Sequence, residues 1–446
     1  MADYQNEYQK KLISAKEAAS FVKSGMWVDY GWSMGHPKAI DKALAERSQD
    51  LYDVKVRGGN TMEVPAIFEV DDAASHFTFN STHCSGIDRK YMASGLVYYN
   101  PIRFSELPSY YENMEENDIA FIRVCPMDKH GNFNLGPNTA HLYQVIKHSK
   151  KIIVEVNENM PHCLGGYGTE IHISKVDGIV ESDNEPMPTL GSAEPSENDV
   201  KMAEFIFDDL VDGACLQLGI GKTPNAVGSM IAKSDLKDLG VHTEMYVDAF
   251  MELSKAGKIT GTKKKIAPGR QVYAFAAGSK ELYDFLDDNP SCLAAPVDYV
   301  NDIGTISSID NFMSINSAIN VDLFGQVAAE TAGTRHISGA GGQMDFVLGA
   351  YLSEGGKSFI CVSSSRAGKD GKKSTNIVPT LSEGSIVTTL RSSVQYLVTE
   401  NGKVNLKGMS TWERAEKIIS IADPDFQDDL IKQAQNLGIW RKSNKK

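Results

Sequence analysis

Glu244 lies in the stretch Leu239-Gly240-Val241-His242-Thr243-Glu244-Met245, which reads as a short apolar strand with one carboxylate at its carboxyl end. A carboxylate is ionised at neutral pH and can attack an activated acyl group, provided that amides stabilise the developing oxyanion and water is kept away. Just upstream is the loop Gly219-Ile220-Gly221-Lys222-Thr223-Pro224. It matches neither nucleotide motif: a P-loop needs Gly where Leu216 stands, and a dinucleotide fingerprint needs a third Gly where Pro224 stands. The loop still offers a tight turn, backbone N–H groups and a helix N-terminus to an anionic group, although an ordinary strand-to-helix turn reads the same way.

Other segments carry competing chemistry. Ser338-Gly339-Ala340-Gly341-Gly342-Gln343-Met344-Asp345-Phe346 is glycine-rich enough for close backbone approach to a ligand, as an oxyanion hole or a pantetheine-binding wall requires, or for a turn before a helix from Phe346 to Leu352. Gly31-Trp32-Ser33-Met34-Gly35 has the spacing of a hydrolase nucleophile elbow. Its helix opens too late, at Pro37, and too little chain precedes it to supply the earlier strand and oxyanion loop, so Ser33 is a poor nucleophile. His242 shares a strand face with Glu244 and reads as a packed or hydrogen-bonding histidine rather than a catalytic partner. Arg366, Lys369, Lys372 and Lys373 form a basic loop, mostly a solvated one. Neither an H-E-x-x-H sequence nor zinc-type cysteine spacing is present.

The elements that must position these residues form one plan used twice. Residues 27–30 read as a strand, Gly31 to Gly35 as a loop, Pro37 as the start of a helix through Leu51, and residues 54–57 as the next strand. The second copy has the strand Cys215 to Leu218, the loop Gly219 to Thr223, a helix opened by Pro224 with Thr223 as its cap, and a strand ending at Glu244. Counted from the two prolines, Glu244 falls opposite Arg57, so only the second copy carries the carboxylate. In an open parallel sheet both loops reach the same edge, where ligands bind. The Pro-rich polar run from Glu181 to Glu197 is a linker by composition, which sets domains at 1–190 and 191–446. Val272 to Ala276 followed by a helical run to Leu286 continues the alternation, and the fold class is α/β. The tail from Trp412 reads as helical, with Ala415, Ile418, Ile419 and Ala422 on one face and fraying from Arg441.

With 446 residues the chain suits two domains, each able to bury a core. A net charge of -13 argues against a general nucleic-acid or anionic-membrane binder, so an anionic ligand needs local basic groups, helix N-termini and amides. Six cysteines without a C-x-x-C pair read as reduced thiols, and with neither a secretory leader nor an apolar run of spanning length the expected compartment is the cytoplasm.

These residues resemble the acetyl-CoA hydrolase/CoA-transferase family, most nearly its butyryl-CoA:acetate and 4-hydroxybutyrate CoA-transferase members. The resemblance runs through Cys125 to Gly131, Val156 to Pro161, Ile171 to Ser174, Gln217 to Pro224, His242 to Met245, Ser314 to Ala318, Gly339 to Phe346, Ile377 to Pro379 and Val398 to Glu400. It implies two related α/β domains with the active site between them. It also implies a ping-pong reaction through a glutamyl-CoA thioester on Glu244, with Gln217 and Gly35 facing the reacting oxygen. CoA contacts fall on Gly219, Ile220, Gly221, Lys222, Thr223, Gly342, Ile319 and Lys369. CoA is then a substrate and covalent intermediate, with no permanent cofactor or metal; the partners are acyl-CoA and short-chain carboxylates, and a homo-oligomer is the default. Ser374-Thr375-Asn376 stands where an Arg is common in the family, and Asn401 follows Glu400 where a Tyr is usual, which puts local acyl-pocket contacts in doubt. Rival readings are an acyl-CoA hydrolase using the same intermediate and a non-catalytic metabolite-binding protein on a similar scaffold.

Overall fold

A computed structural model describes residues 4–113, 117–191, 194–368 and 371–444. In its first sheet the strands are β1 (Trp27–Asp29), β2 (Val54–Gly58), β3 (Phe77–Ser81), β4 (Val97–Tyr99), β5 (Ile119–Val124), β6 (Lys151–Val156) and β7 (Gly178–Glu181). They lie in the order β4-β3-β2-β1-β5-β6-β7, and every neighbouring pair is parallel. All six residues of β5 are buried, as expected of a strand covered on both faces.

The second sheet contains β8 (Cys215–Leu218), β9 (Gly240–Tyr246), β10 (Gln271–Ala276), β11 (Cys292–Ala294), β12 (Phe312–Ser317), β13 (Lys357–Cys361), β14 (Tyr396–Thr399) and β15 (Gly402–Asn405). Its order, β11-β10-β9-β8-β12-β13-β14-β15, repeats the permutation of the first sheet and adds one antiparallel edge strand. Both sheets therefore reverse direction beside their first strand, at the β1/β5 and β8/β12 boundaries, the kind of switch point at which open α/β sheets hold ligands. By compactness the chain divides into one unit of Met1–Gly191, Glu244–Asp248 and Val272–Val300 and another of Ser192–Thr243, Ala249–Gln271 and Asn301–Lys446. Strand β9 passes from the second unit into the first between Thr243 and Glu244.

Strand register corrects the count made from the prolines. Val28 pairs with Val56 and Ile119, and Cys215 pairs with Gly240 and Phe312, so setting Val28 on Cys215 superposes both ladders at once. Asn60, not Arg57, then occupies the place of Glu244. Counting from the helix N-caps gives the same partner, because the prolines hold different helical positions. Pro37 is itself the N-cap of α1 (Lys38–Ala45), whereas Gly221 caps α3 (Lys222–Lys233) and Pro224 is its third residue.

Several boundaries also move. Helix α1 stops at Ala45, and a short 3-10 turn, Ser48–Asp50, replaces its expected end. Strand β9 runs two residues past Glu244, to Tyr246. Helix α4 (Gln343–Leu352) starts before Phe346, from Gly342. The tail is two helices, α5 (Thr411–Ser420) and α6 (Pro424–Asn436), because Asp423 and Pro424 start a new one; Ala422 lies in the break. Ala415, Ile418, Ile419, Leu430 and Ala434 from these helices join the core of the second unit. Arg441 is held rather than frayed, donating to Glu416 at 3.0 Å and lying 3.9 Å above the Trp412 ring. No helix among the described residues is long and apolar enough to cross a membrane.

The amides that open α1 are filled from β6. Glu155 Oε2 accepts the N–H groups of Ala39 and Ile40 at 2.9 and 3.0 Å, while Oε1 lies 3.7 Å from Arg123 Nε. Burial pushes the Glu155 carboxyl above its usual range, although Arg123 and the two amides pull the other way. Arg123 and Glu155 are almost wholly buried, so Glu155→Ala leaves a cation without its counter-charge, at a cost of about 3–5 kcal/mol. A clear fall in the urea midpoint is expected, with a smaller one for Glu155→Gln, which keeps an acceptor for the helix; an unchanged midpoint in both would show that the pair is not needed.

Candidate active site

The end of β12 gathers the two glycine clusters of the second unit. The Gly219 N–H donates to the Ile315 carbonyl at 2.8 Å, and a β-carbon on Gly219 would lie 3.0 Å from Asn316 Oδ1 and 3.2 Å from that carbonyl. A β-carbon on Gly221 would lie 3.3 Å from Ser317 Oγ, and its φ of +149° favours glycine. From the other side, Gln343 at the start of α4 donates to the Ser317 carbonyl at 3.0 Å and accepts from Thr389 Oγ1 at 3.3 Å. Two helices thus begin at the end of one strand, α3 from Gly221 and α4 from Gly342, and neither N-cap residue makes a side-chain hydrogen bond to its helix. Two uncapped helix N-termini are suited to an anion or a developing oxyanion. Gly342 is buried, Ile319 is half-buried and donates to the Ala328 carbonyl at 2.9 Å, and Ile220 and Lys222 are exposed.

Thr223 does not cap α3. Its hydroxyl donates instead to Asp199 Oδ1 at 2.7 Å, and Asp199 belongs to the capping box of α2 (Glu197–Phe207). Burial opposes the charge on Asp199, but the hydroxyls of Ser196 and Thr223 outweigh it and hold the carboxyl below its usual range. The loop is thereby tied to α2, an attachment that the local spacing does not reveal.

Gln217, the third residue of β8, is 3% exposed and sits in a closed polar network. Its Oε1 accepts from Ser314 Oγ at 2.8 Å and Asn316 Nδ2 at 3.0 Å, while its Nε2 donates to Asn316 Oδ1 at 3.2 Å. Asn316 also donates to Ser314 Oγ at 2.9 Å. The network uses three of the four hydrogens on the two side-chain amides and leaves one on Gln217. Ser314 and Asn316 received no role from the sequence, yet their spacing of two on a strand places them on one face with Gln217 opposite Ser314. That was the available signal.

Glu244 is half-buried on β9. His242 is fully buried and packs edge-on to Phe312, with ring centroids 6.2 Å apart, as a packed histidine should. Gly35 lies in the first unit, buried in the 3-10 turn Ser33–Gly35. Its N–H donates within the turn, to the Trp32 carbonyl at 2.7 Å, and the Met34 N–H donates to Asn138 Oδ1 at 3.0 Å. Ser33 has φ +48°, and its Oγ accepts from Asn60 Nδ2 at 3.2 Å, an amide that cannot act as a general base. Of the basic loop, Lys373 is committed to Asp423 at 2.6 Å and Asp425 at 2.9 Å, and Lys369 lies outside the described residues.

Residues 1–191 match the acetyl-CoA hydrolase/transferase N-terminal domain, and residues 278–434 match its C-terminal domain. The chain belongs to the acetyl-CoA hydrolase/transferase family. It is 56% identical over 444 residues to the butyryl-CoA:acetate CoA-transferase of Anaerostipes caccae, an alignment taking in 99% of this chain and 100% of that protein. It is 38% identical to the 4-hydroxybutyrate coenzyme A transferase of Clostridium kluyveri, over 97% of this chain and 99% of that one. The crystal structure of RipA from Yersinia pestis has a TM-score of 0.91 to this chain at 34% identity, covering 98% of this chain and 100% of that one.

For a family that handles acyl-CoA, the glycine loop is the place to perturb. Gly221→Ala puts a side chain at an unfavourable φ, a strain of about 1–3 kcal/mol that the loop relieves only by moving away from Ser317. The expected result is a raised acyl-CoA KM with modest loss of thermal stability. A stability loss with unaltered KM would make the loop a structural turn only.

Proposed function

We propose that this protein moves CoA from a short-chain acyl-CoA of the butyryl-CoA type to acetate or another short carboxylate, by a ping-pong route through a glutamyl-CoA thioester on Glu244. The observation that carries this reading is the full-length identity to the butyryl-CoA:acetate CoA-transferase of Anaerostipes caccae. In this reading the domains are 1–190 and 191–446, the enzyme works in the cytoplasm as a homo-oligomer, and no cofactor is bound permanently.

The chemistry follows from one carboxylate. A Glu244 oxygen attacks the thioester carbonyl, the C–S bond breaks, and CoA leaves as thiolate with an acyl-glutamyl anhydride behind it. The thiolate then attacks the Glu244 carbonyl, the anhydride C–O bond breaks, and the acyl group departs as free carboxylate. A second carboxylate reverses the two steps and leaves as the new acyl-CoA. Thioester free energy is kept throughout, so ATP has no role to play. Each step passes through a tetrahedral oxyanion, which preorganised donors in a water-poor site stabilise strongly. The uncommitted hydrogen of Gln217 is one candidate donor, and the loop from Gly219 to Thr223 with Gly342 is the proposed seat of CoA. Ile319 and Lys369 are assigned to CoA by resemblance alone. Binding energy from the remote nucleotide of CoA can be spent on organising the acyl end.

The test is a panel of carboxylate acceptors against one acyl-CoA donor. Parallel double-reciprocal lines are expected, with acetate and butyrate among the good acceptors and only slow CoA release when the carboxylate is omitted. Intersecting lines would mean that both substrates bind before reaction, and rapid CoA release without acceptor would make the protein a hydrolase. Glu244→Asp, which draws the nucleophile back by roughly an ångström, should lose on the order of 100-fold in turnover; unchanged turnover would remove Glu244 from the mechanism.

A further inference from the structure

Three cations of the second unit stand together with no carboxylate partner among the described residues: Arg391 before β14, Lys407 after β15 and Arg414 on α5. Phe324 links the two guanidinium groups, since Arg414 Nη1 donates to its carbonyl at 3.4 Å while the Arg391 guanidinium lies 6.0 Å from its ring centroid. Lys407 joins through the next residue along. Its Nζ donates to the Ser392 carbonyl at 2.8 Å and lies 4.0 Å from the ring centroid of Tyr351, on α4. The three charges feel one another: burial and then Arg414 pull Lys407 below its usual range, and burial and then Arg391 do the same to Arg414.

All these partners are carbonyls and aromatic rings, which attract a cation without neutralising it. Elsewhere in the same unit a cation over a ring has a carboxylate as well. Lys403 over Tyr396 meets Asp209, and Arg441 over Trp412 meets Glu416. In a chain of net charge -13, acidic side chains are plentiful, so three neighbouring cations without one point to a negative charge supplied from outside.

The donors are also set out for a ligand. Arg414 is 7% exposed and fixed in place, its Nε on the Met409 carbonyl at 3.2 Å and its Nη1 on that of Phe324. A β-carbon on Gly325 would lie 2.6 Å from Arg414 Nη1, so the guanidinium takes this position only because residue 325 is glycine. Those bonds use two of its five N–H hydrogens, and Lys407 uses one of its three. Arg391 is exposed and Lys407 half-buried, so an anion reaches both.

We propose that Arg391, Lys407 and Arg414 bind a phosphate group, free or carried on a small molecule. A carboxylate brings one negative charge to three cations, whereas a phosphate monoester brings about 1.5 to 2 at neutral pH and offers three oxygens. Guanidinium groups match phosphate oxygens two at a time. The site does not depend on the CoA-transferase reading. Two sources can supply the group, the nucleotide end of CoA or a separate phosphorylated molecule.

Inorganic phosphate is the probe, titrated into the full chain at constant ionic strength with chloride as reference and followed by calorimetry and thermal unfolding. Phosphate should bind and raise the unfolding temperature above that in chloride, because it favours the native state. Arg391→Gln and Lys407→Gln should each weaken phosphate binding by about 10-fold or more, and Arg391→Glu, which supplies the missing counter-charge, should abolish it. Phosphate acting no differently from chloride, or acting equally on the unsubstituted protein and all three variants, would overturn the proposal. Adding CoA to the phosphate-loaded protein distinguishes the sources. Displacement of phosphate, with a raised butyryl-CoA KM in Arg391→Gln, assigns the site to CoA's own phosphate; simultaneous binding with an unchanged KM assigns it to a separate ligand. Phosphate binding that depends on Arg391 in a protein that transfers no CoA would sink the transferase reading alone.

Discussion

Because residue 219 has no side chain, β8 can end close against β12, with its amide on the Ile315 carbonyl at 2.8 Å and a β-carbon there held to a tight 3.0 Å from Asn316 Oδ1. That contact fixes where α3 begins, since the chain turns at Gly221 against Ser317 and enters the helix at Lys222. The same strand end receives Gln343 and so fixes the start of α4. Two uncapped helix N-termini and a closed amide network around Gln217 are consequences of one tight approach between neighbouring strands. A bulkier residue at 219 would disturb all of them together.

The two copies of the fold show how one plan is closed in one place and left open in another. In the first copy the amides at the start of α1 are taken by Glu155, whose charge is balanced by Arg123. In the second copy Asn316 stands at the register position of Arg123, and Glu244 at that of Asn60. Where the first copy has a buried ion pair filling its own helix terminus, the second has neutral amides and an uncapped helix. In the proposed mechanism, neutral donors avoid the large desolvation cost of a fixed cation and leave the negative charge to Glu244 and the substrate.

Much of this was legible in the chain, for physical reasons that differ from element to element. Strands such as Cys215 to Leu218 were recognisable because buried parallel strands read as short apolar runs between glycine turns. The repeat was visible because Pro37 and Pro224 each lie near the start of a helix. Those prolines gave the wrong partner for Glu244 because proline is tolerated both as an N-cap and within the first helical turn, so it marks a helix start only to within a few residues. Thr223 looked like a cap because spacing says nothing of Asp199, brought to it by tertiary folding. Asn316 offered only its spacing from Ser314, because the Gln217 amide that it pairs with is distant in sequence.

The account stands or falls on where the CoA goes. Incubation with butyryl-CoA in the absence of any carboxylate acceptor, followed by proteolysis and mass spectrometry, reads this directly. The predicted result is CoA in thioester linkage on Glu244, in the peptide that contains His242 to Met245, discharged when acetate is added. CoA attached at another residue, or transfer to acetate that proceeds with no covalent adduct at any time, would contradict the account.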